Sequence, residues 1–213
     1  MRDCELDGRK ECFAELVHEG LGGFLIRNLE SAGILKEMGL LHTAVLDSNM
    51  YTLNGEAQKF WEKEAIAGDT ISLELNKKEL RFRDNSKSEC CVYGYLPMMV
   101  SVQCVQKNFD KCNHKHARLT LKDRYKKNFQ VVCNCEFCYN TIYNTLPLSL
   151  VKEAQEVKSL GIFKYRMNFT LENCEETEKI ARGFVNVYLN GQAPDVYLTQ
   201  METTKGHFAR GVE

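Results

Sequence analysis

At 213 residues the chain is long enough for one large domain or two small ones. Its 44% hydrophobic and 27% charged residues are ordinary for a globular protein. A formal net charge of −1 excludes a whole-molecule field that would draw it to nucleic acid or membrane.

No stretch approaches the roughly 18 apolar residues of a transmembrane helix. The charged opening MRDCELDGRKECF lacks the apolar run of a signal peptide. A cytoplasmic location with no membrane partner is therefore expected, and in that compartment the ten cysteines stay reduced.

In chain order, KECFAELVHEG (10–20) predicts an amphipathic helix ending at Gly20. GFLIRN (23–28) predicts a buried strand, and SAGILKEMG (31–39) a short helix capped by Ser31 and stopped by Gly39. HTAVLD (42–47) predicts a second strand. GEAQKFWEKEAIAG (55–68) predicts a second amphipathic helix with Ala57, Phe60, Trp61 and Ala65 on one side. TISLELN (70–76) and ECCVYGY (89–95) predict a third and a fourth strand. The rhythm then breaks. RLTLKDRYKKNFQVV (118–132) alternates on both sides of a polar centre and predicts a β-hairpin. The α/β alternation resumes with a helix over 150–160, a strand at FKYRMNF (163–169) and a helix over 174–189, and the tail after 204 has no periodicity.

These patterns predict one α/β domain with parallel strands. It is organised as 1–95, an inserted cysteine-rich hairpin region at 96–149, and a last βα unit with the tail at 150–213. Periodicity alone does not separate an open doubly wound sheet from part of a (β/α)8 barrel. A full barrel takes about 250 residues, so a barrel built from this chain is incomplete.

Cys104, Cys112, Cys135 and Cys138 are spaced x7, x22 and x2. The final CxxC brings two sulfurs to one centre within a tight turn, and a hairpin can return that turn to the neighbourhood of the first pair. Four convergent thiolates suit zinc or an iron–sulfur cluster; the alternative is a set of reduced structural cysteines. Cys133 is an alternative to Cys135, and His114 and His116 are further donors. Cys90 and Cys91 read as small apolar strand residues, and Cys4, Cys12 and Cys174 as helix or helix-end residues.

Residues 107–127 carry Lys107, Lys111, Lys115, Arg118, Lys122, Arg124, Lys126 and Lys127 against Asp110 and Asp123, a local charge of +6. Such a patch is either a phosphate-binding surface or a solvated hairpin face. Polar residues also gather at the ends of three strands: Arg27, Asn28 and Glu30; Asp47 and Asn49; Glu74 and Asn76. In parallel α/β folds the ligand site forms at these carboxyl ends, although Asn and Asp also favour helix N-caps. No nucleophile elbow, HExxH or phosphate loop occurs, and GLGG (20–23) is turn chemistry.

The stretches FLIRNLE (24–30), DSNMYTLN (47–54), LELNKKEL (73–80), VYGYLPMMVSVQC (92–104), LTLKDR (119–124), CEFCYNTIYNTLPLSL (135–150) and TKGHFARGVE (204–213) together resemble the collagenase-like peptidases, peptidase family U32. The resemblance implies a TIM-barrel-like fold in which strands 23–28, 42–47, 70–76, 90–94 and 163–169 are barrel strands four to eight. The first three βα units are absent, so the chain reads as the C-terminal part of a longer protein, with dimerisation or a missing N-terminal half expected. The resemblance also implies a 4Fe–4S cluster on Cys104, Cys112, Cys135 and Cys138, with zinc as the alternative and Cys133 outside the matching motif.

Proteins similar to this family include oxygen-independent hydroxylases of RNA bases or quinone precursors. The expected function is thus an iron–sulfur protein for oxygen-independent RNA modification. In that reading Asn28, Asp47, Asn49, Glu74 and Asn76 orient a small co-substrate, and Lys122 and Arg124 hold RNA phosphates. The alternatives are a genuine protease of unfolded or collagen-like polypeptide, and an inactive C-terminal fragment.

Overall fold

The computed structural model describes residues 3–108 and 112–211. The chain begins with α1 (Asp3–His18), β1 (Phe24–Ile26), α2 (Leu29–Glu37), β2 (Ala44–Leu46), α3 (Gly55–Lys63), β3 (Gly68–Thr70) and β4 (Ser88–Gly94). It continues with β5 (Pro97–Ser101), α4 (Val105–Asn108), β6 (Ala117–Lys122), β7 (Asn128–Asn134), β8 (Tyr139–Tyr143) and β9 (Leu148–Ser149). α5 (Ala154–Ser159), β10 (Lys164–Asn168), α6 (Cys174–Tyr188) and α7 (Val196–Gln200) complete it.

The fold is mixed α/β. β1 to β4 pair in parallel, with Ile26 opposite Leu46, Leu46 opposite Asp69 and Asp69 opposite Ser88. The strand order is β1-β2-β3-β4-β10, and β9 pairs antiparallel with the end of β4. This run of β/α units is the arrangement of part of a β/α barrel. A second sheet, of order β5-β8-β7-β6, is antiparallel throughout, and β6 and β7 form its hairpin.

Several local expectations are corrected. The third strand spans Gly68–Thr70 and not 70–76. The last ladder bond beyond it runs from Ile71 N–H to the Glu89 carbonyl (2.9 Å), and Leu75 then turns back on the Ser72 carbonyl (3.2 Å). The cap of α2 is Asn28, whose Oδ1 accepts from Ser31 N–H at 2.8 Å, and Ser31 lies inside the helix. Gly39, at φ +70°, does end that helix. On α3, Trp61 packs towards the core while Phe60 stays 56% exposed. Strands β5 and β8 were not expected at all.

Two compact units share the chain. One comprises the described residues of Met1–Cys91, Gln155–Arg166 and Gly206–Glu213, and the other Val92–Ala154 and Met167–Lys205. In the first, alternation along β1 and β2 sends Ile26, Ala44 and Leu46 into a core with Ala32, Leu35, Leu41 and Ile66, against which Phe13, Phe24 and Trp61 pack. Close strand contact requires Gly68, where an added Cβ would stand 2.5 Å from the Lys87 carbonyl oxygen.

The first unit also buries a charge. Asp69 on β3 is 6% exposed and accepts from Arg83 Nη2 (2.7 Å), Ser88 Oγ (2.5 Å) and the Thr52 hydroxyl. Arg83 donates as well to the Thr52 carbonyl. In the second unit, Tyr93, Phe184 and Tyr188 form a continuous aromatic core with ring centroids 5.5 and 5.9 Å apart. α6 opens with a capping box between Asn173 and Glu176. Among the described residues no helix is long and apolar enough to cross a membrane.

Because removing Arg83 leaves the buried Asp69 carboxylate without its counter-charge, Arg83→Leu should lower stability by about 3–5 kcal/mol. Removing the exposed Lys59–Glu56 pair should leave the unfolding midpoint almost unchanged. Urea unfolding of both variants checks the contrast; equal midpoints would show that Asp69 finds water or another donor.

Candidate metal centre

The strand-end residues divide. Asn28 caps α2. Asn76 Oδ1 accepts from Lys78 N–H (2.8 Å) and Glu79 N–H (3.1 Å), while Glu79 Oε2 accepts from Asn76 N–H (2.8 Å). Both asparagines are therefore occupied by local backbone. Glu74 is exposed and, with the third strand ending at Thr70, does not lie at a strand end. Asn49 Nδ2 donates to the Arg27 carbonyl at 2.9 Å.

Asp47 alone is drawn into a charged network. It meets Arg166 Nη2 at 2.6 Å and Arg27 Nε at 3.0 Å, and Arg166 Nη1 reaches Glu89 Oε1 at 2.8 Å. Glu89 also accepts from Thr70 Oγ1 at 2.7 Å. Burial works to raise the Asp47 carboxyl. Hydrogen bonds from Arg166 and Ser48 N–H, with the charges of Arg166 and Arg27, outweigh it and hold the group below its usual value. A cavity of about 580 Å³ in this unit lies against Leu25, Val45, Glu89 and Arg166. The sequence reading missed Glu89 and Arg166. Their signal was a charge set within an apolar strand pattern, ECCVYGY and FKYRMNF.

On the hairpin, Lys122, Arg124, Lys126 and Lys127 are all exposed. The tip is fixed by Asp123, whose Oδ1 accepts from Tyr125 N–H and Lys127 N–H, both at 2.8 Å, and Lys126 takes a left-handed φ of +63°. Arg124 lies 4.7 Å from the Tyr125 ring centroid. Arg118 is committed elsewhere, donating to the Thr170 and Leu171 carbonyls at 2.8 Å each. Lys111 and Asp110 lie outside the described residues.

The CxxC turn joins β7 to β8. Cys138 sits at φ +52°, and its thiol points to the Cys135 carbonyl at 3.8 Å. The Cys135 thiol contacts the Lys115 carbonyl at 3.0 Å and Gln106 Oε1 at 3.8 Å. Gln106 is two residues after Cys104, and Lys115 three residues after Cys112, so these contacts set Cys135 against the two segments that carry Cys104 and Cys112. Desolvation, then the thiols of Cys112, Cys104 and Cys138, push the Cys135 thiol up, as expected where ionised sulfurs would crowd one another.

Cys133, across the ladder from Ala117 and Asn140, is buried in the same neighbourhood. Desolvation, then Cys104, Cys135 and Cys112, raise its thiol. His116 Nδ1 lies 3.1 Å from the Cys133 carbonyl, and His114 is exposed. Cys90 and Cys91 are buried in β4, and burial pushes the Cys90 thiol up to about 12, the behaviour of a packed apolar group. The four-thiol donor set suits a soft metal centre in its chemistry. Among the described residues, however, no three His, Cys, Asp or Glu side chains stand together in a ligating group. No protein-family model, curated protein or solved structure matches the chain.

The Asp47 network has a pH signature. Its folded carboxyl titrates below the ordinary 3.8, so its contribution to stability is present above that value and is lost as pH falls through the lower folded one. The stability difference between the native protein and Asp47→Asn should therefore be largest near neutral pH and shrink below about pH 4. Urea midpoints measured at about pH 6 and about pH 3 test this; a constant difference would remove the ionic role.

Proposed function

We propose that the chain is an iron–sulfur protein of the U32 type that takes part in oxygen-independent modification of RNA bases. The observation that supports this reading is that Cys135, in one turn with Cys138, touches Gln106 and the Lys115 carbonyl, neighbours in the chain of Cys104 and Cys112. Four thiolates are the ordinary donor set of a 4Fe–4S cluster, with zinc as the alternative occupant. When bound, such a cluster would supply electron transfer or a Lewis-acid site.

The chain's own residues do the rest. The β7–β8 turn presents Cys135 and Cys138, and the Lys115 carbonyl and Gln106 orient Cys135. Lys122, Arg124, Lys126 and Lys127 on a tip fixed by Asp123 hold RNA phosphates. In the first unit, Asp47 fixes Arg166 and Glu89 beside the cavity, which takes a small co-substrate. On this reading the parallel β/α units are the later strands of a barrel, and the cysteine-bearing hairpin region is an insertion into it.

Protein made anaerobically with iron should be brown and hold about four irons, the content of one cubane cluster. Cys104→Ser, Cys112→Ser, Cys135→Ser and Cys138→Ser should each bleach it, because a hydroxyl is a poorer ligand for this chemistry, while Cys133→Ser should keep its colour. One zinc and no sulfide would overturn the reading. Cleavage of unfolded collagen that survives loss of the cluster would favour the protease instead.

RNA binding is tested on the same preparations. Replacing Lys122, Arg124, Lys126 and Lys127 by Ala should weaken it and lower the salt slope by about 0.7 per lost contact to a single strand. An unchanged slope would leave the hairpin a solvated face.

A further inference from the structure

A cavity of about 280 Å³ opens in the second unit beside the end of β4, the start of α6 and α7. Its wall carries three tyrosines, Tyr93, Tyr95 and Tyr197, and three carboxylates, Glu172, Glu176 and Glu202. Glu172 is held rigidly: Tyr93 OH donates to its Oε1 at 2.8 Å, and Thr170 N–H and Leu171 N–H donate to its Oε2 at 2.8 and 3.0 Å. Glu176 is held by the capping box of α6. The basic residue of the wall, Arg118, is held on the Thr170 and Leu171 carbonyls and keeps its charge, and the three carboxylates outnumber it. One tyrosine of the set already receives a cation, since Lys179 Nζ lies 4.1 Å from the centroid of the Tyr197 ring.

Aromatic faces and fixed carboxylates around one small cavity are the chemistry that recognises an organic cation. The rings attract positive charge through their quadrupoles and accept the apolar groups that surround it. A hard metal ion is a poorer guest, because it demands six or more oxygens. Here both Glu172 oxygens already accept protein hydrogen bonds, and one Glu176 oxygen accepts from Asn173 N–H. The volume suits an alkylammonium head and is small for a nucleotide.

We propose that this cleft binds an alkylammonium group, such as that of a methylated amine, a polyamine or a modified lysine side chain, between Tyr95, Tyr197 and the carboxylates. The site goes beyond the cluster reading and does not depend on it, because every wall residue lies outside the cysteine turn.

The test uses the full chain, tetramethylammonium as the probe and 3,3-dimethylbutan-1-ol as its neutral isostere, with binding followed by ligand-observed NMR. Tetramethylammonium should bind saturably while the neutral compound does not. Tyr95→Leu and Glu202→Gln should each weaken binding, the first by about fivefold or more because a ring face is lost, and Tyr95→Phe should keep most of the affinity. Circular dichroism confirms that each variant is folded, and exposed Glu202 provides a change that leaves the core intact. The proposal is overturned by equal binding of the neutral isostere, by unchanged affinity in both Tyr95→Leu and Glu202→Gln, or by absence of saturable tetramethylammonium binding in the native protein.

Discussion

A carboxylate taken out of water must be matched where it lies, and Asp69 sets that condition for the first unit. Three donors converge on it, from Arg83, Ser88 and Thr52. These come from the segment after β2, the loop between β3 and β4, and the first residue of β4. One buried charge therefore fixes the register in which Asp69 stands opposite Ser88, and with it the long excursion of residues 71–87. Parallel strands have no tight turn to set their register, so a side-chain anchor does that work. Once β3 and β4 are placed, Glu89 follows Ser88, and it meets Arg166 and through it Asp47.

Much of this architecture was legible, and the failures share one physical cause. Hydrophobic runs reported β1, β2 and β4, each of which buries residues, and FKYRMNF reported β10, most of whose residues are half-buried. TISLELN carries the same alternation, yet pairing stops at Thr70: Leu75 N–H turns back on the Ser72 carbonyl, and Asn76 and Glu79 then exchange side-chain-to-backbone hydrogen bonds. The signature Asn76-x-x-Glu79 stood in the sequence and is a helix-start signal. The same competition moved the cap of α2 to Asn28 and left Asn76 accepting from the backbone N–H groups of Lys78 and Glu79. Asparagine after a strand serves backbone N–H groups before it serves a ligand.

At the cysteine turn, spacing identified Cys135 and Cys138 as a pair, since CxxC is a local property. That Cys135 leans on Gln106 and on the Lys115 carbonyl was not legible, because those contacts depend on how β8 lies between β5 and β7. β5 and β8 were missed for a related reason. Four residues of β5 are exposed, so PMMVS lacks the one-sided burial that creates an alternating pattern. Glu89 and Arg166 were overlooked because each neutralises the other; a charge inside a strand has meaning only when its partner is known.

The tail supplies the last piece of the first unit. The Phe208 ring is buried, its carbonyl accepts from Lys77 N–H at 2.9 Å, and Gly211 packs so tightly against Asn76 that a Cβ there would stand 2.5 Å from its Nδ2. Residues 76 and 77 therefore complete their packing with residues more than 130 positions later. During synthesis the ribosome delivers residues 75–80 early, yet their covering segment only after β10, α6 and α7 have been made. Closing so long a loop is slow compared with forming a helix or a hairpin, and the early surface stays open meanwhile. Until the tail is made, the Lys77 N–H and the Asn76 side chain lack their covering residues, an interval in which a chaperone has a defined surface to hold.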